Sequence, residues 1–264
     1  MKAEEHIQTG RLDEALALLQ EEVRNNAADA KLRTFLFQLL CVLGNWPRAL
    51  TQLDVLAGFD PDHKLLAGIF RPVIQCEMVR AEVFAGKRTP IVFGQPQEWM
   101  GWLVQANELH AQGKSGPAQE LRGKAFEAAP ATAGKLNDQP FEWIADADQR
   151  LGPMLEVIVE GHYYWIPFAR IKRIFIEAPT DLRDLVWSPA QFIWANGGEA
   201  SGHIPTRYPR TESVKDGPLR LARKTEWVED GGGFSSGLGQ RLLATDSAEY
   251  PLLECRTIEL NSEL

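Results

Sequence analysis

Residues 8–27, QTGRLDEALALLQEEVRNNA, and residues 42–61, VLGNWPRALTQLDVLAGFDP, align at an offset of 34, and residues 111–130, AQGKSGPAQELRGKAFEAAP, follow the same ruler. In each copy a glycine (Gly10, Gly44, Gly113) precedes an alanine by five positions (Ala15, Ala49, Ala118). Pro61 and Pro130 stand seventeen residues after their glycines, with Ala27 at the matching place in the first copy. Each residue type has a steric task. Glycine accepts the left-handed backbone that ends one helix, alanine lets the next helix approach closely, and proline, lacking an N–H, ends the unit. A 34-residue helix–turn–helix period is the signature of tetratricopeptide (TPR) repeats, which stack to share a core and leave a concave face for peptides. The stretch therefore predicts a TPR-like binder.

Working outward, 264 residues exceed the usual size of one domain, and a hydrophobic content of 44% suffices for real cores. Apolar spacing predicts helices over about 2–9, 12–25, 30–43, 46–58, 64–85, 98–111 and 117–128, with 86–97 a loop between the second and third units. Beyond PATAGKLNDQP the pattern changes to short β-type runs, at 163–168, 171–177, 191–195, 219–228, 238–244 and 252–258. Asn196-Gly197 signals a two-residue hairpin turn. One helix is expected at 151–159, ended by Gly161. The expected class is α+β: a TPR-like helical domain over 1–133, then a smaller domain over 134–264 with a mostly antiparallel sheet.

Composition excludes several functions. Residues 1–130 carry 14 Lys and Arg against 16 Asp and Glu, and residues 131–264 carry 14 against 20, so neither part offers an obvious phosphate-binding face, and Arg170, Lys172 and Arg173 read as a solvated stripe. No nucleic acid is expected as a partner. No apolar run long enough to span a bilayer occurs, and MKAEEHIQTGRLDEAL reads as an amphipathic helix rather than an export signal. Cys41, Cys76 and Cys255 lack CxxC spacing and suit reduced core positions, which makes the cytoplasm the expected location, without membrane contact.

Catalytic and metal motifs also fail on spacing. Gly233-Phe234-Ser235-Ser236-Gly237 matches G-x-S-x-G, yet no histidine follows His203 and the run sits between strand-like segments, so a hairpin loop is expected. His6, His63, His110, His162 and His203 are too dispersed for a zinc set, and no metal or cofactor is expected. Gly113-Lys114-Ser115 lacks the upstream glycine of a phosphate loop. Asp138, Glu142, Asp146 and Asp148 lack the glycine-centred spacing of a calcium loop, and Asp146 and Asp148 are expected to cap the 151–159 helix. An enzyme using Asp146, Asp148 and His162 stays as the alternative; it would need a compact polar pocket where carboxylates and a histidine converge, which an adaptor would not.

The tryptophans are expected mostly in cores, with one or two exposed. The first helices of the second and third units would line the concave face, placing Lys31, Thr34, Gln38 and Cys41 beside Met100, Leu103, Asn107 and His110. Apolar anchors mixed with amides and a histidine suit a partner helix, unless the insertion at 64–97 forms a helix pair that fills the groove.

Seven runs carry a family resemblance: KLRTFLFQLLCVLGNWPRALTQLDVL at 31–56, RTPIVFGQP at 88–96, QPFEWIADADQRLGPMLEVIVEGHYYWIPF at 139–168, APTDLRDLVW at 178–187, IPTRYP at 204–209, LARKTEW at 221–227 and GLGQRLLATD at 237–246. In content and order they resemble the ImpE/TagJ family, also called SciE-type proteins, across nearly the whole chain. Arg210-Thr211-Glu212 departs from the Gly-Ser-Glu that the resemblance leads one to expect. The resemblance implies a non-catalytic accessory protein of bacterial type VI secretion systems, without assigned catalytic residues or cofactor. It further implies binding to the small, TssB-type sheath subunit and a link to the ClpV-type AAA+ ATPase that disassembles the contracted sheath.

Overall fold

The computed structural model describes residues 2–231 and 233–262. Seven helices come first: α1 (Lys2–Gln8), α2 (Leu12–Asn25), α3 (Ala30–Val42), α4 (Trp46–Leu56), α5 (Pro61–Phe84), α6 (Glu98–Ala111) and α7 (Ser115–Ala128), with the two-residue strand β1 (Ile91–Val92) between α5 and α6. The ruler is visible in the backbone. Gly10, Gly44 and Gly113 hold φ of +76°, +68° and +76° in the turns of the α1–α2, α3–α4 and α6–α7 hairpins, and Ala15, Ala49 and Ala118 are fully buried. Asp29 caps α3 by accepting from the Lys31 and Leu32 amides at 2.9 and 3.1 Å. Pro61 opens α5 at a position that needs no N–H, with Asp60 accepting from the His63 amide at 2.9 Å. The insertion is thus one 24-residue helix that runs through Pro72, not a helix pair, followed by a strand that joins the sheet.

The strands follow: β2 (Gly134–Leu136), β3 (Gln139–Phe141), β4 (Ile144–Asp146), β5 (Met154–Val159), β6 (His162–Pro167), β7 (Ile171–Ile176), β8 (Trp187–Trp194), β9 (Glu199–Pro205), β10 (Thr225–Glu229), β11 (Ser235–Gly239), β12 (Leu242–Thr245), β13 (Glu249–Pro251) and β14 (Thr257–Leu260), with the single turn α8 (Gly217–Arg220) before β10. Nine form one sheet in the order β1-β6-β5-β9-β8-β7-β14-β2-β3, in which only the β1–β6 pair is parallel. β13-β12-β4 and β10-β11 make two smaller antiparallel sheets. The class is α+β, as the pattern predicts. The β8–β9 hairpin turns through Asn196-Gly197, although four residues rather than two separate the strands.

Some expected elements differ: the run at 219–228 starts in the turn α8 and becomes strand only at Thr225, and Leu252–Glu254 is a single helical turn before β14. Residues 154–159 are the strand β5, buried at every position, and not a helix. A short continuous apolar run fits a buried strand as well as a helix, and the β-branched Val157-Ile158-Val159 with Gly152-Pro153 upstream should have decided for the strand. Glu160 (φ +50°) and Gly161 (φ +75°) do not end a helix; they form the two-residue turn from β5 into β6.

β5 explains how the two regions meet. Its Met154 and Ile158 join a core shared with the helices, together with Tyr163, Trp165, Trp187 and Leu221. Its Leu155, Val157 and Val159 face a second core built from the sheet itself, with Phe168, Ile174, Phe192, Leu243 and Ile258. The repeat turns touch the other region too. A Cβ on Gly44 would lie 2.5 Å from Cγ of Glu212, and one on Gly10 would lie 3.1 Å from Cδ of Pro218. Arg210, where the resemblance leads one to expect glycine, keeps the left-handed backbone at φ +72°.

Candidate functional site

Between the helices and the sheet lies a buried charge network. Arg80 of α5 donates twice to Glu156 of β5, at 2.6 and 3.0 Å, and once each to Glu77 at 3.3 Å and the Arg207 carbonyl at 2.7 Å. Arg241 bridges Glu156 and Asp146, Arg150 grips Asp148 through bonds at 2.5, 2.9 and 3.1 Å, and the Arg207 guanidinium donates at 2.8 Å to the Val42 carbonyl at the end of α3. Tyr163 and Trp187 complete the shell by donating to Glu156 and, at 2.8 Å, to Glu77. Three of these arginines are thus paired with the four carboxylates, the condition for burying charge tolerably, while Arg207 is held by the Val42 and Arg220 carbonyls.

The network divides its acids. Burial opposes ionisation of Glu156, but the guanidinium groups of Arg80 and Arg241 bring it down to about 2. Burial raises Asp146 to about 6, and the attraction of Arg241, shared with Glu156, offsets only part of that while Asp148 adds repulsion. Asp146 and Asp148 therefore cap no helix. Asp146 accepts from the Asp148 amide at 2.9 Å, and Asp148 accepts from the Arg150 and Gly237 amides at 2.9 and 2.8 Å.

A cavity of about 450 Å³ opens beside this network, bounded by Trp46, by Glu77, Arg80 and Phe84 of α5, by Asn107 and His110 of α6, and by Arg150, Arg210, Glu212 and Asp230. His110 Nε2 stands 3.6 Å from Asp230; burial lowers its pKa, and the Asp230 carboxylate opposes that shift. Arg150, Pro209 and Arg210 also line a smaller cavity with Ser213 and Ser236. A third opening, of about 560 Å³, separates Ile69, Pro72 and Val73 of α5 from Ile158, Pro189 and His203 of the sheet. Burial there holds His203 down to about 4.

Of the face predicted for a partner, Lys31 is exposed, Thr34, Gln38 and His110 are half-buried, and Met100, Leu103, Asn107 and Cys41 are buried. The protein's own chain does the covering: Met100, Leu103 and Cys41 belong to the shared core, and the Asn107 amide donates to the Arg150 carbonyl at 2.6 Å. His162 is exposed at the start of β6, bonded to the Glu160 carbonyl at 3.0 Å. It does not join Asp146 or Asp148 in any of the cavities described. The predicted hairpin loop at Gly233–Gly237 is the β10–β11 turn leading into β11. Among the described residues, no cluster of His, Cys, Asp and Glu fits a metal ion, the three cysteines are free and buried, and no helix is long and apolar enough to cross a membrane. Sequence reasoning missed Arg80, Arg150, Arg207 and Arg241; their only signal is an arginine set among apolar neighbours, as in LGQRLLA, where a solvated side chain is out of place.

Comparison with known proteins matches this architecture. The family model described as ImpE protein covers residues 138–259. The type VI secretion system accessory component TagJ of Pseudomonas aeruginosa is 48% identical over 259 residues, which is 98% of this chain and 91% of that protein. An X-ray crystal structure of a protein from Vibrio parahaemolyticus superposes with a TM-score of 0.91 at 26% identity, covering 100% of this chain and 99% of the other.

Proposed function

The chain belongs to the ImpE family, and from that premise we propose that it is a non-catalytic accessory protein of a type VI secretion system, an adaptor that binds the small, TssB-type sheath subunit and is linked to the ClpV-type AAA+ ATPase. The near full-length identity to an accessory component carries this reading, and the tandem helical hairpins support it, since stacked helix pairs are a common peptide-binding scaffold. The helical region is the proposed docking surface, through the members of the predicted face that the chain leaves exposed, Lys31, or half-buried, Thr34, Gln38 and His110. A cytoplasmic location goes with these partners.

Calorimetry with the purified small sheath subunit tests the reading. Lys31→Glu with Gln38→Ala should weaken binding at least tenfold with the melting temperature unchanged, a loss of about 1.4 kcal/mol. Full affinity in that variant, but loss in Ile69→Asp, would move the interface to the α5 groove. No binding by the wild-type protein would remove the sheath subunit as a partner.

One observation favours a second reading. The cavity beside α6 brings His110 together with Glu77, Glu212 and Asp230, the convergence expected of an enzyme. Against it, Glu77 is engaged by Trp187 and Arg80, and among the described residues no Ser, Thr, Cys, Tyr or Lys lines that cavity as a nucleophile. Secretion by a folded Asp230→Asn, Glu212→Gln variant should match wild type; its loss with sheath-subunit binding intact would establish the enzyme.

A further inference from the structure

The glycine-rich β10–β11 turn has a task that no hydrolase motif explains. Phe234, at its far side, is 1% exposed although it belongs to a loop. Its ring sits 4.6 Å from the His110 ring of α6, edge to face, and 4.3 Å from the guanidinium carbon of Arg122 of α7. At the near side Asp230 faces His110 Nε2 at 3.6 Å. The chain's own segment thus presents a carboxylate and, four residues on, an aromatic ring to the paired helices of the third hairpin.

Arg122 is the unusual member of this contact. It is 2% exposed, yet its Nε and Nη2 have no hydrogen-bond partner, and burial lowers its pKa to about 10, which leaves it charged. A buried guanidinium normally takes a carboxylate, and the ring face supplies only part of what a hydrogen-bonded anion would. Gly231 and Gly233 hold φ of +84° and +76°, and a Cβ on either would meet nothing within 4 Å, so nothing packs on the turn at these two positions.

We propose that the slot between His110 and Arg122 is a recognition site for a partner segment carrying an aromatic side chain near a carboxylate, and that Asp230 and Phe234 fill it from within the chain until such a segment displaces them. The partner's ring takes the place of Phe234, and its carboxylate reaches the guanidinium nitrogens that Phe234 leaves unbonded. An acidic aromatic segment is favoured over a basic one because the occupant already seated has that chemistry and the buried unpaired group is a cation. The site uses one residue of the proposed sheath-binding face, His110, but needs no secretion component, so its test stands apart from that reading.

The probe is a synthetic peptide of the chain's own sequence, EWVEDGGGFSSG (residues 226–237). Phe234→Ala protein should bind it saturably and at least about tenfold more tightly than wild type, a difference of about 1.4 kcal/mol. A peptide with the phenylalanine replaced by alanine should not bind, and adding Arg122→Gln to the Phe234→Ala protein should abolish the gain. Equal binding by wild type and Phe234→Ala, or a gain that survives Arg122→Gln, overturns the proposal. Should Phe234→Ala not fold, amide exchange of residues 225–229 and 235–239 is followed in the wild-type protein with the peptide at about 1 mM, where exchange should accelerate severalfold; unchanged exchange overturns it equally.

Discussion

The helices of residues 2–128 and the strands of 134–260 hold themselves together differently. In the helical hairpins each structural decision is local: a left-handed glycine, a buried alanine five residues later, an aspartate or proline at the next helix start. In the strand region decisions are made at a distance. β14 pairs with β2 and β7, and Arg241 reaches Asp146 and Glu156, 95 and 85 residues away. The contrast teaches that a repeat can be read from spacing, while a nine-stranded sheet paired out of chain order and a charge network have no period to read.

The strongest way to break the comparison is to separate the regions. Division at 133/134 is a proposal about units of the chain, and the shared core sets its limit. Residues 1–133 alone would lose Tyr163, Trp165 and Trp187 from that core, and would leave Arg80 without Glu156 and Arg207. A domain's net stability is only about 5–15 kcal/mol. The fragment is therefore expected to lack a cooperative unfolding transition in urea; a sharp one would make the helical region self-sufficient.

Next in size is Arg241→Leu in the full chain. Glu156 would keep Arg80, but Asp146 would be left buried with no cation bonded to it. Breaking a buried pair in this way costs about 3–5 kcal/mol, measurable by denaturant unfolding. A cost below 1 kcal/mol would mean the network contributes little beyond ordering the chain.

This difference sets what was legible beforehand. The seven helices and the turn at Asn196-Gly197 follow from spacing and glycine chemistry, and the class follows from the switch in period. β5 was missed because a strand covered on both faces loses the alternation that marks strands. Asp146 and Asp148 were visible as acids, but their role depends on Arg150 and Arg241, and nothing in the one-dimensional pattern joins those positions. Of the predicted binding face, Lys31 is exposed and Thr34, Gln38 and His110 are half-buried; Leu103 lies in the shared core and Asn107 bonds the Arg150 carbonyl, packing the repeat alone does not show.

A smaller effect appears with pH. Burial gives Asp146 a folded pKa of about 6 against an ordinary 3.8, so the native state holds more protons in between and this group's contribution to stability falls as pH rises from about 4 to 6. Glu156, at about 2 against 4.5, acts oppositely: its stabilisation is present above 4.5 and lost as pH falls towards 2. His203, at about 4 against 6.5, also costs stability as pH falls below 6.5. Comparing wild type with Asp146→Asn isolates the first. Wild type should gain about 2 kcal/mol over the variant between pH 7 and 4.5; identical pH profiles would place Asp146 ionised throughout.

The repeat packing is tested by size. Ala49→Phe and Ala118→Phe should each cost about 1–3 kcal/mol through overpacking, whereas exposed Asp13→Phe should stay within about 0.5 kcal/mol of wild type. Equal melting temperatures for the three would remove the close helix approach on which the ruler rests.

The smallest effect separates local from distant causes within one residue type. Gly44 and Gly113 occupy the same place in the ruler with nearly the same backbone, φ +68° and +76°. A left-handed backbone costs a residue with a Cβ about 1–2 kcal/mol, so alanine at either should carry that penalty. Their surroundings differ: a Cβ at Gly113 would meet nothing within 4 Å, but at Gly44 it would press to 2.5 Å on the Glu212 side chain of the strand region. The Cβ of Glu212 would lie almost as close, at 2.6 Å, and it moves only with its backbone, so relief costs about 1 kcal/mol or more. Gly44→Ala is therefore expected to be the more destabilising by that margin, and Glu212→Gly, which removes both atoms, should remove the excess while leaving Gly113→Ala unchanged. If the two glycines cost the same in both backgrounds, the turn needs glycine for its backbone alone, and contact with the strand region puts no demand on the repeat.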